Sequence, residues 1–260
     1  MVNIYTCPAG PEPLGPQSSF RFHCHPGLSC FTRCCQEPTI ILQPYDILRL
    51  CRRLGLASTA FLARYTMRTV EEASGLPLRL LARQDGPGGG CPFLAAGSGC
   101  SVYEDRPAAC RLFPVVQGSN LRHGQPVPVY YLKNLDYCQG LAEGPVWTLE
   151  QWRQDQGLPP YEAHNDSWAA ILLQQGAKGP ANLAQARLWE LALYDLDGFR
   201  SFVLESAFAQ TFGLSEAAKE VLDRDDTALL QVGYAYVRRG LGLAGAGELE
   251  ELLATWRRGA

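Results

Sequence analysis

The chain has 260 residues, 47% of them apolar, and carries 23 basic against 26 acidic residues for a formal net charge of -3. That is enough apolar chain to bury a core unaided, in one domain or two. The near-balance of charge gives no electrostatic reason to expect nucleic acid or an anionic membrane as the main partner. No run of eighteen or more apolar residues occurs, and Met1 to Cys7 lack a charged segment followed by an apolar one. The expectation is a cytoplasmic chain, neither exported nor inserted into a membrane. Ten cysteines fall well short of the density of a disulfide-built scaffold. In a reducing compartment, thiols that cluster read as ligands or redox groups.

Residues 1–20, with prolines and glycines around Pro8 to Pro16 and no apolar period, read as an irregular leader, and Cys7 stands outside the cysteine cluster. Cys24, Cys30, Cys34 and Cys35 follow in one short stretch, with His23 and His25 beside the first. Pro44 opens a segment in which Ile47, Leu50, Cys51 and Leu54 recur at i, i+3, i+4 and i+7, one amphipathic helix ended by Gly55. On that stripe Cys51 reads as a small buried thiol rather than a ligand. A second helix capped by Ser58, with Phe61, Leu62 and Tyr65 facing inward, completes a helical hairpin. Asp85 through Gly90 breaks regular structure as a flexible lead-in to Cys91. Cys100 and Cys110 come next, and Tyr130, Tyr131 and Leu132 read as a short extended piece leading to Cys138.

From Glu143 onward no further cysteine occurs and helical signals dominate. They are Thr148 before Leu149, Pro159-Pro160 before a segment bearing Trp168, Leu183 through Leu193, and Leu230, Tyr234, Val237 and Leu241 on one face. Trp147, Trp152, Trp168 and Trp189 fall in these predicted helices as packing residues. Tyr194-Asp195-Leu196-Asp197-Gly198-Phe199 reads as a helix N-cap, because a calcium loop would need a third acidic ligand and a terminal glutamate. The expected fold is mainly α-helical: a leader over 1–20, an irregular cysteine-rich metal-binding region over 21–142, and a helical C-terminal extension over 143–260.

Tetrahedral zinc and iron-sulfur clusters both take four thiolates, or thiolates with imidazoles, as close groups from separate segments. Cys24, Cys30, Cys34 and Cys35 form one group and Cys91, Cys100, Cys110 and Cys138 a second, so eight thiolates serve two sites. Neighbouring side chains of an extended segment point to opposite sides. The adjacent Cys34-Cys35 pair is therefore either split between two metals or contributes one ligand only. Turns at Pro26-Gly27 and Gly97-Ser98-Gly99 let the chain fold back around a metal and offer backbone amides to sulfur. His23 and His25 stand as ligands or as neighbours of ligands. Arg106 and Arg111 bracket Cys110, and either offset the charge of a thiolate-held cubane or pair with Glu104 or Asp105. His123 and His164 have no supporting context, and no phosphate loop, serine elbow or cysteine-histidine catalytic pair is present.

The run Phe22-x-Cys24, Cys30-x-x-x-Cys34-Cys35, Cys91-Pro92-Phe93-Leu94, Cys100-Ser101-Val102-Tyr103 and Arg106-Pro107-Ala108-Ala109-Cys110-Arg111 resembles the YkgJ family of cysteine-cluster proteins, also described as zinc- or iron-chelating domains. The resemblance runs from about residue 20 to 138. One departure is that the family pattern usually opens with cysteines two residues apart, whereas five residues separate Cys24 from Cys30. The resemblance implies metal binding and a link to flagellin lysine N-methylases, which carry a similar cysteine cluster. Three functions follow. The first is a metal-binding protein holding an iron-sulfur cluster, four-iron first, or zinc, in electron transfer, sensing or metal handling. The second is a protein methyltransferase using S-adenosylmethionine, against which stands the lack of a glycine-rich nucleotide loop. The third is a structural zinc protein whose helical half binds a protein partner.

Overall fold

The computed structural model describes residues 12–256 except 16, 85–88, 96, 124, 134, 244 and 246. Cys7 and most of the glycine run before Cys91 lie outside the described residues. Helix α1 (Pro44–Leu54) forms where the apolar period places it. Pro44 occupies its first turn, a capping box between Gln43 and Asp46 closes its start, and Gly55 at φ 63 closes its end. Ile47 and Leu50 are buried, with Cys51 and Leu54 packed on the edge of the core. Helix α2 (Ser58–Tyr65) follows, capped by Ala57 instead of Ser58. The Ser58 hydroxyl turns away to Asp195 and Asp197, at 2.8 and 3.0 Å.

The chain then departs from the helical expectation. Strands β3 (Thr66–Val70) and β4 (Pro77–Leu81) pair antiparallel, and β2 (Ile41–Leu42) joins the other side of β4 to give the order β2-β4-β3. The turn between β3 and β4 is held by the buried carboxylate of Glu71, which accepts the amides of Ala73 and Ser74. Two more short strands, β5 (Leu94–Ala95) and β6 (Gly99–Cys100), flank a turn, and helix α3 (Ala108–Leu112) carries Cys110. The extended piece at Tyr130–Leu132 is the end of a longer hairpin, β7 (Val115–Arg122) with β8 (Gln125–Leu132).

The end of the leader is not irregular. Ser19–Arg21 forms β1, which pairs with β9 (Val146–Thr148), and Leu14 bridges to Tyr130. Trp147 therefore lies in a strand and not in a helix. With nine short strands beside eleven α-helices among the described residues, the fold is helical with a substantial β component.

Beyond β9 the helices stand close to expectation: α4 (Leu149–Asp155), α5 (Pro159–Lys178), α6 (Leu183–Leu193), α7 (Leu196–Glu205), α8 (Phe208–Thr211), α9 (Glu216–Arg224), α10 (Asp226–Gly240) and α11 (Glu248–Thr255). Side chains of Thr148, Asn182, Asp195, Ser215 and Asp225 accept first-turn amides of α4, α6, α7, α9 and α10. Helix α10 is central, touching α1, α5, α6, α7, α9 and α11. One contiguous buried cluster runs from Phe20 to Leu253. Trp152, Trp168 and Trp189 pack within it, and the Trp189 indole donates to the Pro77 carbonyl at 2.8 Å, tying α6 to β4.

Asp46 joins α1 to α3. It is fully buried, and its two oxygens accept the amides of Gln43 at 2.9 Å and Ala108 at 2.8 Å. Burial raises its carboxyl from 3.8 to about 6 against the pull of those amides. A folded-state value above the ordinary one means the folded chain holds the proton more tightly. This contribution to stability is complete below about pH 3.8 and is lost as pH rises through about 6. Asp46→Asn should therefore remove a pH slope: comparing urea unfolding at pH 4.5 and 7, the variant should gain about 2 kcal/mol on the wild type. Equal slopes in the two proteins would contradict the assignment.

Candidate metal centre

Short backbone turns deliver the thiols. Arg33–Cys35 is a 3-10 turn entered from Thr32 at φ 64. The premise of an extended segment is thereby corrected: in a tight turn adjacent side chains are not sent to opposite faces, and the sulfurs of Cys34 and Cys35 lie 3.9 Å apart. At that distance the two thiols are in hydrogen-bonding contact, and either sulfur can be the donor. The Cys91 amide donates to the Cys35 carbonyl at 2.8 Å, and Gly90 lies against the same carbonyl. The β5–β6 register sets Cys100 opposite Leu94. Finally, a 3-10 turn over Gln139–Ala142 folds back so that the Gln139 amide donates to the Cys30 sulfur at 3.3 Å.

The thiols sort into two lobes. After burial, the influences on Cys24 are the charges of Cys34, Cys138 and Cys30, and Cys138 in turn feels Cys30 and Cys34. Cys35 feels Cys34, Cys110 and Cys91, while Cys110 feels Cys91, Asp46, Cys100 and Cys34. One lobe is Cys24, Cys30, Cys34 and Cys138. The other is Cys35, Cys91, Cys100 and Cys110, with Cys34 at the junction. The Cys91–Cys35 backbone bond turns Cys35 toward the later cysteines, and the 139–142 turn returns Cys138 to Cys30.

Cys24 and Cys34 are exposed, and the other six are half-buried free thiols. Cys51 lies apart, lining a cavity of about 350 Å3 beside α1, α2 and α7. Its thiol is pushed up to about 12 by burial and then by Asp197, Asp226 and Asp195, with no other cysteine contributing.

Electrostatics in the lobes favour a cation. Although Cys24 is exposed by area, the atoms crowding its sulfur desolvate it and, with the neighbouring thiols, push it up to about 11. Cys91, Cys100, Cys110 and Cys138 are all raised, burial first. Cys34 and Cys35 share a proton: Cys35 is raised by the bond it donates, and Cys34 is lowered by accepting it, with a smaller pull from Lys133. Thiols packed this way resist ionising together unless a positive charge enters.

The Leu94 amide donates to the Cys91 carbonyl at 3.0 Å and the Leu141 amide to the Cys138 carbonyl at 3.4 Å, so these turns close on the cysteine backbone, and the nearby amides pull the thiols of Cys91, Cys100 and Cys138 down against the effect of burial. The turns at Pro26-Gly27 and Gly97–Gly99 are not the donors. Gly27 gives its amide to His25 Nδ1, and Gly97-Ser98 only reverses the chain between β5 and β6. Among the described residues, no group of three or more His, Cys, Asp or Glu side chains is already placed to hold an ion. Closing on one requires the thiols to rotate about their Cα–Cβ bonds.

Of the two tasks expected of the arginines, the pairing with the carboxylate of Glu104 or Asp105 is not made; Asp105 instead takes Arg49. Arg111 is buried and donates to the carbonyls of Glu104, Arg106 and Gln156. Arg106 lies 3.9 Å over the Tyr103 ring and donates to the Tyr103 carbonyl and to Gln156 Oε1. Both guanidiniums thus clamp the Cys100–Cys110 loop to the α4–α5 connection, and Arg106 also lends positive charge to Cys100.

Residues 23–139 match the sequence profile of the CxxCxxCC family, described as a "putative zinc- or iron-chelating domain". This segment is a CxxCxxCC domain. The match takes in all eight cysteines of the two lobes and a little under half of the chain. No curated protein and no solved structure matches the chain. Within the CxxCxxCC domain the long spacing from Cys24 to Cys30 is absorbed locally. Leu28 is buried, its amide donates to the His25 carbonyl, and the Phe31 amide donates to the Leu28 carbonyl. Of the residues around the thiols, Asp46, Lys133 and Glu143 carry no sequence signal, since their neighbours are remote in the chain.

Cys35, Cys91, Cys100 and Cys110 are all held above the ordinary thiol value, so an ion taken by these four should displace about four protons at pH 7. Apparent affinity should accordingly rise with pH. Calorimetric zinc titration of the metal-free chain in buffers of different ionisation enthalpy measures the release, and fewer than about two protons per ion would point to donors other than these thiols.

Proposed function

We propose that the chain is a metal-binding protein whose CxxCxxCC domain holds zinc or iron in two closed thiolate sites. Cys24, Cys30, Cys34 and Cys138 hold one, and Cys35, Cys91, Cys100 and Cys110 the other. The observation that supports this reading is the nearness of eight free thiols from separate segments, with the charge of Cys34 felt by Cys24 and Cys138 on one side and by Cys35, Cys91 and Cys110 on the other. Four thiolates per site leave no open coordination position. That suits a metal that braces structure or passes an electron, and not one that activates water or a substrate. On this reading the helical region buttresses the centre through the Arg106 and Arg111 clamp. The methyltransferase alternative rests on the resemblance alone, and no feature of the described residues adds to it.

Anaerobically purified protein analysed for metal and inorganic sulfide decides the species. A brown protein with visible charge-transfer bands is iron-sulfur, and a colourless one with stoichiometric zinc is the zinc form. Cys30→Ser and Cys110→Ser should each lose about half of the metal, because each opens one four-thiolate site. Cys51→Ser should retain all of it. Loss in Cys51→Ser equal to that in Cys110→Ser would sink the two-tetrad reading.

A further inference from the structure

The tripeptide His23-Cys24-His25 carries donors that the two tetrads do not use. His25 Nε2 and Glu143 Oε2 lie 3.3 Å apart with side-chain exposures of 36% and 50%. The ring centroids of His23 and His25 are 4.8 Å apart, and His23 and Cys24 are exposed. His25 and Glu143 are themselves open to solvent. An imidazole nitrogen and a carboxylate oxygen bound to one tetrahedral ion at about 2.0–2.1 Å are separated by about 3.3 Å. The pair therefore already spans one edge of such a coordination shell, with water able to complete it.

The loop that brings Glu143 here also carries Cys138. It packs on His23 so closely that only glycine fits: a Cβ on Gly144 would fall 2.3 Å from His23 Cβ, and one on Gly140 would fall 2.7 Å from the His23 carbonyl oxygen. The His23 amide donates to the Gly140 carbonyl at 3.0 Å. One short segment thus fixes a thiol of the first lobe and a carboxylate of its rim together.

We infer that His25 and Glu143 form a capture site for a hydrated divalent cation, from which the thiols of Cys24, Cys30, Cys34 and Cys138 take the ion. This rests on the thiolate reading above. The imidazole-carboxylate pair is preset and open to solvent, whereas the thiols must first rotate to close on an ion. In the capture step Nε2 and Oε2 replace two water ligands. Because Gly27 donates to Nδ1 at 3.2 Å, Nε2 is the protonated nitrogen. Its proton leaves to solvent, Nδ1 gains one, and the exposed Gly27 amide turns to water. In the transfer step the protons still held by the four thiols leave to solvent, the thiolates replace Nε2, Oε2 and the remaining waters, Nδ1 gives its proton to solvent, and Nε2 takes one back as the His25–Glu143 contact reforms.

The test is stopped-flow mixing of the metal-free full chain with Co(II) alone under anaerobic conditions, following the sulfur-to-cobalt charge-transfer absorption. His25→Ala and Glu143→Gln should slow the growth of that band by at least about tenfold while reaching the wild-type amplitude. Glu216→Gln, 89% exposed on α9, should leave the rate unchanged, which separates capture from general attraction. Unchanged rates in His25→Ala and Glu143→Gln would overturn the proposal and leave the pair as a hydrogen bond that pins the loop. Loss of amplitude in both would also overturn it, by making them resident ligands. Absence of the band in the wild type would instead bring down the thiolate centre itself, and the capture site with it.

Discussion

The crowding of sulfur around Cys34 is the constraint on which the rest of the structure depends. A thiol gains nothing from being placed next to other thiols in a half-desolvated setting; each neighbour makes its ionisation harder, as the raised Cys24, Cys35 and Cys110 show. The Cys34–Cys35 contact at 3.9 Å relieves part of this by hydrogen bonding between the two sulfurs, which lowers Cys34. An arrangement so unfavourable on its own account is held in place by the surrounding turns, and it becomes favourable when a cation supplies the missing charge.

The surrounding elements hold the basin from outside. Asp46 fixes α3 to α1 through the Ala108 amide, two residues from Cys110. Arg106 and Arg111 fix the Cys100–Cys110 loop to the connection between α4 and α5. The β1–β9 pairing brings the segment before Cys24 beside the segment after Cys138. Because α1 packs on both α5 and α10, the helical region is continuous with this scaffold. A change at the sulfurs has a short, buried route into the helices.

How much of this was legible in the sequence follows from the range of each interaction. Helices α1 and α6 were readable because apolar period and end signals are local, and α6 spans the expected Leu183–Leu193. The β3–β4 hairpin went unread because its turn depends on the Glu71 carboxylate capturing two amides, which no composition reveals. Strands β1 and β9 are only three residues each and find one another across the whole CxxCxxCC domain. The eight cysteines were readable as a set, since thiol chemistry is a property of the residue. Which of them meet in space was not, since that depends on a 3-10 turn at Cys35 and on the Gln139–Cys30 contact across 109 positions. His25 and Glu143, 118 positions apart, were hidden for the same reason.

The central claim, that these thiols are the metal's ligands, is tested most directly by X-ray absorption at the edge of the bound metal in the loaded full chain. The account predicts a first shell of four sulfurs at about 2.3 Å with no light-atom scatterer. A shell dominated by nitrogen and oxygen at about 2.0–2.1 Å would contradict it, and would place the resident metal away from the two tetrads.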